Sequence, residues 1–272
     1  MDILHYLFFQ HAIMGSLLAS VLCGIVGTYI VTRRLVFIGG GIAHASLGGV
    51  GIGAFFGFQP LLGAAFFSLF SGYSIQWLSR RHEVREDSAI AMLWTFGMSV
   101  GILFTYLSPD FMPQLSSYLF GNILTITKAD LWMMGFVTLA AIVLFTLFRR
   151  TIVAVAFDSE FAQSQGLPVR FLEYAMMTLI ALTIVSCLRM VGIVLVISML
   201  SIPQMTANLF TQSFQRMMAL SIVVGMMNCM GGLAFSFLYN VPSGASIIFV
   251  SILIYIVAKT IKSLIYSLLI KK

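Results

Sequence analysis

Residues 11–34 read HAIMGSLLASVLCGIVGTYIVTRR. From His11 to Val31 there is no Asp, Glu, Lys or Arg, and then two arginines arrive together. A helix needs about 20 apolar residues to cross the hydrocarbon core of a bilayer. Lys and Arg beside short loops stay on the cytoplasmic side. The stretch therefore predicts a membrane-spanning helix whose inner end is Arg33–Arg34. The same punctuation recurs along the chain: Arg80, Arg81 and Arg85; Arg149, Arg150 and Arg170; Arg216; Lys259, Lys262, Lys271 and Lys272. One simple topology puts these thirteen of the fifteen basic residues on one side, leaving out Lys128 and Arg189.

Working outward, spans are predicted over residues 35–58, from Pro60 to Arg80–Arg81, 88–107, 131–148, 171–186, 191–207 with an interruption at Pro203, 217–237 and 245–264. The fold class is all-α: a polytopic helical membrane protein of eight or nine transmembrane helices. It forms one transmembrane domain over residues 1–272, with the N-terminus outside and the C-terminus cytoplasmic. Eight spans result if the pair around Arg189 does not fully cross. Residues 108–127, with Pro109 and Pro113, read as an outside loop, and residues 151–170 as a longer polar stretch inside.

Composition agrees. The chain is 60% hydrophobic and 9% charged, with mean hydropathy +1.03, whereas soluble domains carry about 25% charged residues. The net charge of +6 does not point to nucleic acid, because the basic residues flank apolar spans and serve as topology signals and headgroup contacts. Cys23, Cys187 and Cys229 lie in apolar stretches at no metal or redox spacing and read as small buried hydrophobes. The start, Met-Asp-Ile-Leu-His, has no basic run before its apolar segment, so the first span is expected to be retained. There is no Walker A motif and no His-Glu-x-x-His, and carboxylates are scarce in the spans. No enzyme is indicated, no cofactor bound by this chain is expected, and any energy source other than an ion gradient must come from a partner.

Three constellations can carry function. The first is the glycine-rich run 39–51 around His44. An ionisable group inside a span is costly and a functional candidate, and imidazole suits first-row transition metals. The alternative is a histidine bonded to a neighbouring helix, with glycines for packing alone. The second is the segment 157–168, which reads as a short helix with Asp158 and Glu160 in its first turn, Gly166 to end it and Pro168 beyond. It is either a docking surface or a solvated connector. The third is the stretch 189–207, where Pro203 frees a backbone carbonyl that Ser198, Ser201 and Thr206 can resatisfy. Arg189 suits an interfacial position.

In order along nearly the whole chain, Gly-Gly-Ile-Ala-His-Ala (40–45), Arg-Glu-Asp-Ser-Ala-Ile (85–90), Ser-Tyr-Leu-Phe-Gly-Asn-Ile-Leu (117–124), Asp-x-Glu-x-Ala-x-x-x-Gly (158–166), Leu-Arg-Met-Val-Gly-Ile-Val-Leu-Val (188–196), Ser-Ile-Pro-Gln-Met-Thr-Ala (201–207) and Pro-Ser-Gly-Ala (242–245) resemble the permease subunits of bacterial ABC importers for zinc, manganese and iron. The resemblance implies a permease domain in the bacterial cytoplasmic membrane, working as a dimer with cytoplasmic ATP-binding subunits and an extracytoplasmic metal-binding protein. ATP is then used by the partner, and the chain's own ligand is the transported divalent metal. It implies that Asp158, Glu160, Ala162 and Gly166 belong to the ATPase-coupling helix, and that His44 lines the metal path. A permease for a metal chelate or a gradient-driven carrier is the alternative. Many members carry Gly-Asp-Ala-x-x-His, but here Gly40 stands in place of that Asp.

Overall fold

The computed structural model describes residues 7–80, 84–108, 121 and 126–270, without the side chains of Phe8, Arg189, Tyr266 and residues 268–270. Arg81, Lys271, Lys272, Pro109, Pro113 and most of residues 117–124 lie outside the described residues, as does the side-chain position of Arg189.

The described residues form helices α1 (Leu7–Thr32), α2 (Val36–Phe55), α3 (Pro60–Arg80), α4 (Glu86–Leu107), α5 (Lys128–Leu147), α6 (Arg149–Phe157), α7 (Ser159–Ser164), α8 (Val169–Met199), α9 (Ile202–Asn208), α10 (Phe214–Tyr239) and α11 (Ser243–Ile270). Among the described residues nine stretches are long and apolar enough to cross a membrane. The count supports nine spans over eight, because Val169–Leu188 and Met190–Asn208 each qualify. They meet near Gly192, whose φ of 73° and ψ of 164° lie outside the helical region, in territory essentially reserved for glycine. The backbone of Gly121, also at positive φ, packs directly on Val191 and Gly192.

α2 is central: it is buried along 78% of its span, against 22% for α4 and α11. Glycine explains how α2 can be so enclosed. Any side chain at Gly49 would run into the Gly63 backbone of α3, and any at Gly48 or Gly51 into Gly97 or Gly101 of α4. Small residues let backbones approach where no hydrophobic drive operates between helices. Residues 97–101 also spell Gly-Met-Ser-Val-Gly, the letters of a serine-hydrolase elbow. They lie inside the continuous helix α4, with no strand-to-helix turn to expose a nucleophile, so the motif is one of packing.

Two details depart from the expected pattern. The stretch 151–170 is not polar throughout: its first part is helix α6, which buries Ile152, Val155 and Ala156. Pro203 does not itself interrupt the span; it sits in the first turn of α9, and the break falls at Leu200–Ser201. The carbonyl left without its donor is that of Met199, and Gln204 Nε2 donates to it at 3.2 Å and to Cys23 O of α1 at 2.7 Å. Ser201 and Thr206 instead donate to Ile197 O and Ile202 O, and Ser198 Oγ is buried without a hydrogen bond. A glutamine, not the expected hydroxyls, mends the kink.

Candidate functional site

His44 lies on α2 and is half-buried. Its imidazole stacks on Trp94 of α4, with ring centroids 4.5 Å apart and planes within 6°. Trp94 Nε1 donates to Met98 Sδ at 3.0 Å. The His44 Nδ1 atom is buried and has no hydrogen-bond partner. An unsatisfied buried polar atom is unusual and calls for a reason. Of the two readings open at the sequence level, a histidine bonded to a neighbouring helix does not describe this atom. The stack fixes one ring face, and Nδ1 is left without a hydrogen-bond partner.

The surrounding glycines divide into two kinds. Gly48, Gly49 and Gly51 are packing residues. Gly40, one turn before His44, is not: a side chain there would first meet Ile197 Cδ1 at 3.7 Å, an ordinary contact. Ser46 is fully buried and donates to Ala43 O at 2.6 Å, so its hydroxyl is already engaged. Among the described residues no three His, Cys, Asp or Glu side chains converge into a group that could hold a metal. The three cysteines are buried free thiols.

The segment 158–166 is assembled from complementary parts. Asp158 is the N-cap of α7, its Oδ1 accepting from Phe161 N at 2.9 Å. At the other end Gly166, at φ 72°, lets Leu167 N donate to Ala162 O and its own N donate to Gln163 O. This is the paired closing bond of a Schellman motif. Ala162 is fully buried and seats α7 on the body, whereas Glu160 is exposed. Beside it Phe157 and Phe161 are 66% and 60% exposed. The sequence reading did not single out these two aromatics; the signal was a pair of phenylalanines four apart around two acidic residues.

A third cluster also escaped sequence reasoning. Glu173, in the second turn of α8, is 8% exposed. Arg33 Nη2 donates to its Oε1 at 3.3 Å, Gln76 Nε2 donates to its Oε2 at 2.9 Å, and Arg80 pairs with that same oxygen. Arg33 Nη1 also donates to Val155 O of α6 at 2.8 Å, and the Arg80 guanidinium lies 5.9 Å from the Tyr174 ring centroid. Arg33 and Arg80 are thus more than topology signals. A lone carboxylate in the apolar run 171–186 was the available sign.

Residues 5–262 match the ABC 3 transport family. An uncharacterized membrane protein of Synechocystis is 40% identical over 255 residues, covering 94% of this chain and 91% of the relative. The manganese transport system membrane protein MntC of Halalkalibacterium halodurans is 34% identical, over 94% of this chain and 88% of the relative. Among solved structures, PsaBC from Streptococcus pneumoniae in complex with Fab superposes with a TM-score of 0.84 at 28% identity, covering 94% of this chain and 92% of that one.

Proposed function

The chain belongs to the ABC 3 transport family, as a membrane-spanning permease of a metal ABC importer, and on that premise we propose that it carries a divalent first-row cation, manganese foremost. Manganese is favoured because MntC, 34% identical over 94% of this chain, is named as part of a manganese transport system. The permease is not itself a catalyst. Two copies form the path, ATP-binding subunits dock on α7 from the cytoplasm, and a metal-binding protein delivers the ion from outside. The membrane is the cytoplasmic membrane of a bacterium, with the basic ends of the helices inside.

His44 touches the ion in transit. Its free Nδ1 beside a fixed ring plane supports this role. With a glycine at position 40, no carboxylate lies one turn before it, so the ion is held weakly, and a second His44 from the partner copy supplements the first. Imidazole suits zinc and iron better than manganese, which as a harder cation prefers carboxylate, carbonyl and water oxygens, so His44 by itself gives manganese only a loose hold. The test is ATP-dependent uptake of radiolabelled manganese, zinc and iron by the permease reconstituted with its ATP-binding subunits and metal-binding protein. Manganese uptake exceeding that of the other two is expected. Uptake of none of the three would overturn the reading.

A further inference from the structure

We propose that Glu173 is a positioning residue for transport: it ties the helices beside the metal path to the segment that carries α7, so that a displacement of α7 is delivered to the path. This inference rests on the docking role of α7. The observation behind it is the way one buried carboxylate is used up. Both of its oxygens are engaged, by side chains from two other parts of the chain. Arg33 follows the end of α1, and Gln76 and Arg80 belong to the last turns of α3. Arg33 reaches further, to the carbonyl of Val155, two residues before the end of α6, and α6 leads directly into α7.

The connections therefore run from α7 through α6 to Arg33, and from Arg33 through Glu173 to Arg80 and α3. α3 packs on α2, which bears His44. Charge-assisted bonds are shorter and more directional than neutral ones, and a buried charge that loses its partner is strongly disfavoured. Such a cluster resists being pulled apart, so the elements it joins move together. Here the second guanidinium and the backbone grip of Arg33 bring the α6–α7 corner into the same rigid unit.

The experiment uses the complete reconstituted importer, with manganese, zinc or iron as cargo according to which the parent protein carries, and measures ATP hydrolysis and uptake in the same vesicles. Glu173→Gln is expected to hydrolyse ATP at close to the parental rate while uptake per ATP falls about tenfold, a size within the range of mutational effects on coupling between sites. Glu173→Asp keeps the charge but shortens the reach, and its ratio should fall between the two. A parental ratio in both variants overturns the inference. If Glu173→Gln does not assemble, Glu173→Asp decides alone: a ratio reduced about twofold or more supports the inference, and a parental ratio overturns it. Glu160→Arg, measured alongside, separates the two levels. If it uncouples while both Glu173 variants keep the parental ratio, the inference falls and the docking of α7 stands. If Glu160→Arg itself keeps the parental ratio, the docking role falls, and the inference with it.

Discussion

His44 has a free nitrogen and a stacked ring because α2 and α4 approach closely enough for Trp94 to lie flat against it. Removing the imidazole should leave the helices assembled, since their contact is carried by the glycines at 48 and 51 against Gly97 and Gly101. His44→Ala is thus expected to lower metal uptake at least about tenfold, the scale seen when groups around a metal are disturbed, with membrane insertion unchanged. Uptake of manganese, zinc and iron at the parental rate would make His44 a packing residue. Gly40→Asp should also fold, given the 3.7 Å clearance to Ile197. Asp at 40 and His at 44 would share one helix face, so tighter binding or a changed order among the three cations is expected in competition uptake. At this scale the sequence shows His44 plainly, because an ionisable side chain stands out in an apolar span. Trp94 is invisible, because its stack joins positions on different helices. Glu173 shows itself as a lone carboxylate, but its three partners come from distant stretches that no local pattern links.

The short helix α7 is the element whose parts the sequence explains best. Asp158 and Gly166 are local signals, a cap at one end and a left-handed stop at the other, and both act as such. Their substitution should weaken the helix itself. Asp158→Ala is expected to cost about 1 kcal/mol, and Gly166→Ala about 1–2 kcal/mol for a Cβ in the left-handed region. Glu160→Arg acts differently, because Glu160 is exposed and its side chain makes no hydrogen bond or ion pair among the described residues. It should leave α7 formed while uptake is lost and ATP hydrolysis no longer drives it. Co-purification of the ATP-binding subunit with each variant, together with uptake, distinguishes a melted helix from a mismatched surface; parental uptake by Glu160→Arg would remove α7 from the docking role. Its neighbour α6 was not legible. The run Thr151–Phe157 follows Arg149–Arg150 directly, and at about two turns it is too short to separate a buried amphipathic helix from a loop.

For the molecule as a whole, the apolar lengths and the basic clusters were enough to find the spans, because the bilayer demands both. Tertiary devices were not: the break at Gly192 and the mending of Pro203 by Gln204 depend on neighbours brought together by folding. Orientation follows from charge alone and is open to a direct check. α10 runs from Phe214 to Tyr239, 26 residues, which at 1.5 Å per residue is about 39 Å. A helix of that length has its ends on opposite faces of a hydrocarbon core about 30 Å thick. Arg216 sits at its first turn, and Asn240, at φ 51°, ends it in a left-handed cap that turns the chain back into α11. If Arg216 is inside, Asn240 must be outside, and α11 must return the lysines at 259 and 262 to the inner face. Nine crossings, an odd number, then require the two termini to lie on opposite sides. Reporter fusions after Arg85, after Arg170 and at the C-terminus should all give a cytoplasmic signal, and a fusion at Asn240 an external one. A cytoplasmic signal at Asn240 would break the nine-span topology, since no rearrangement of the shorter loops could bring that end of α10 inside while Arg216 stays there.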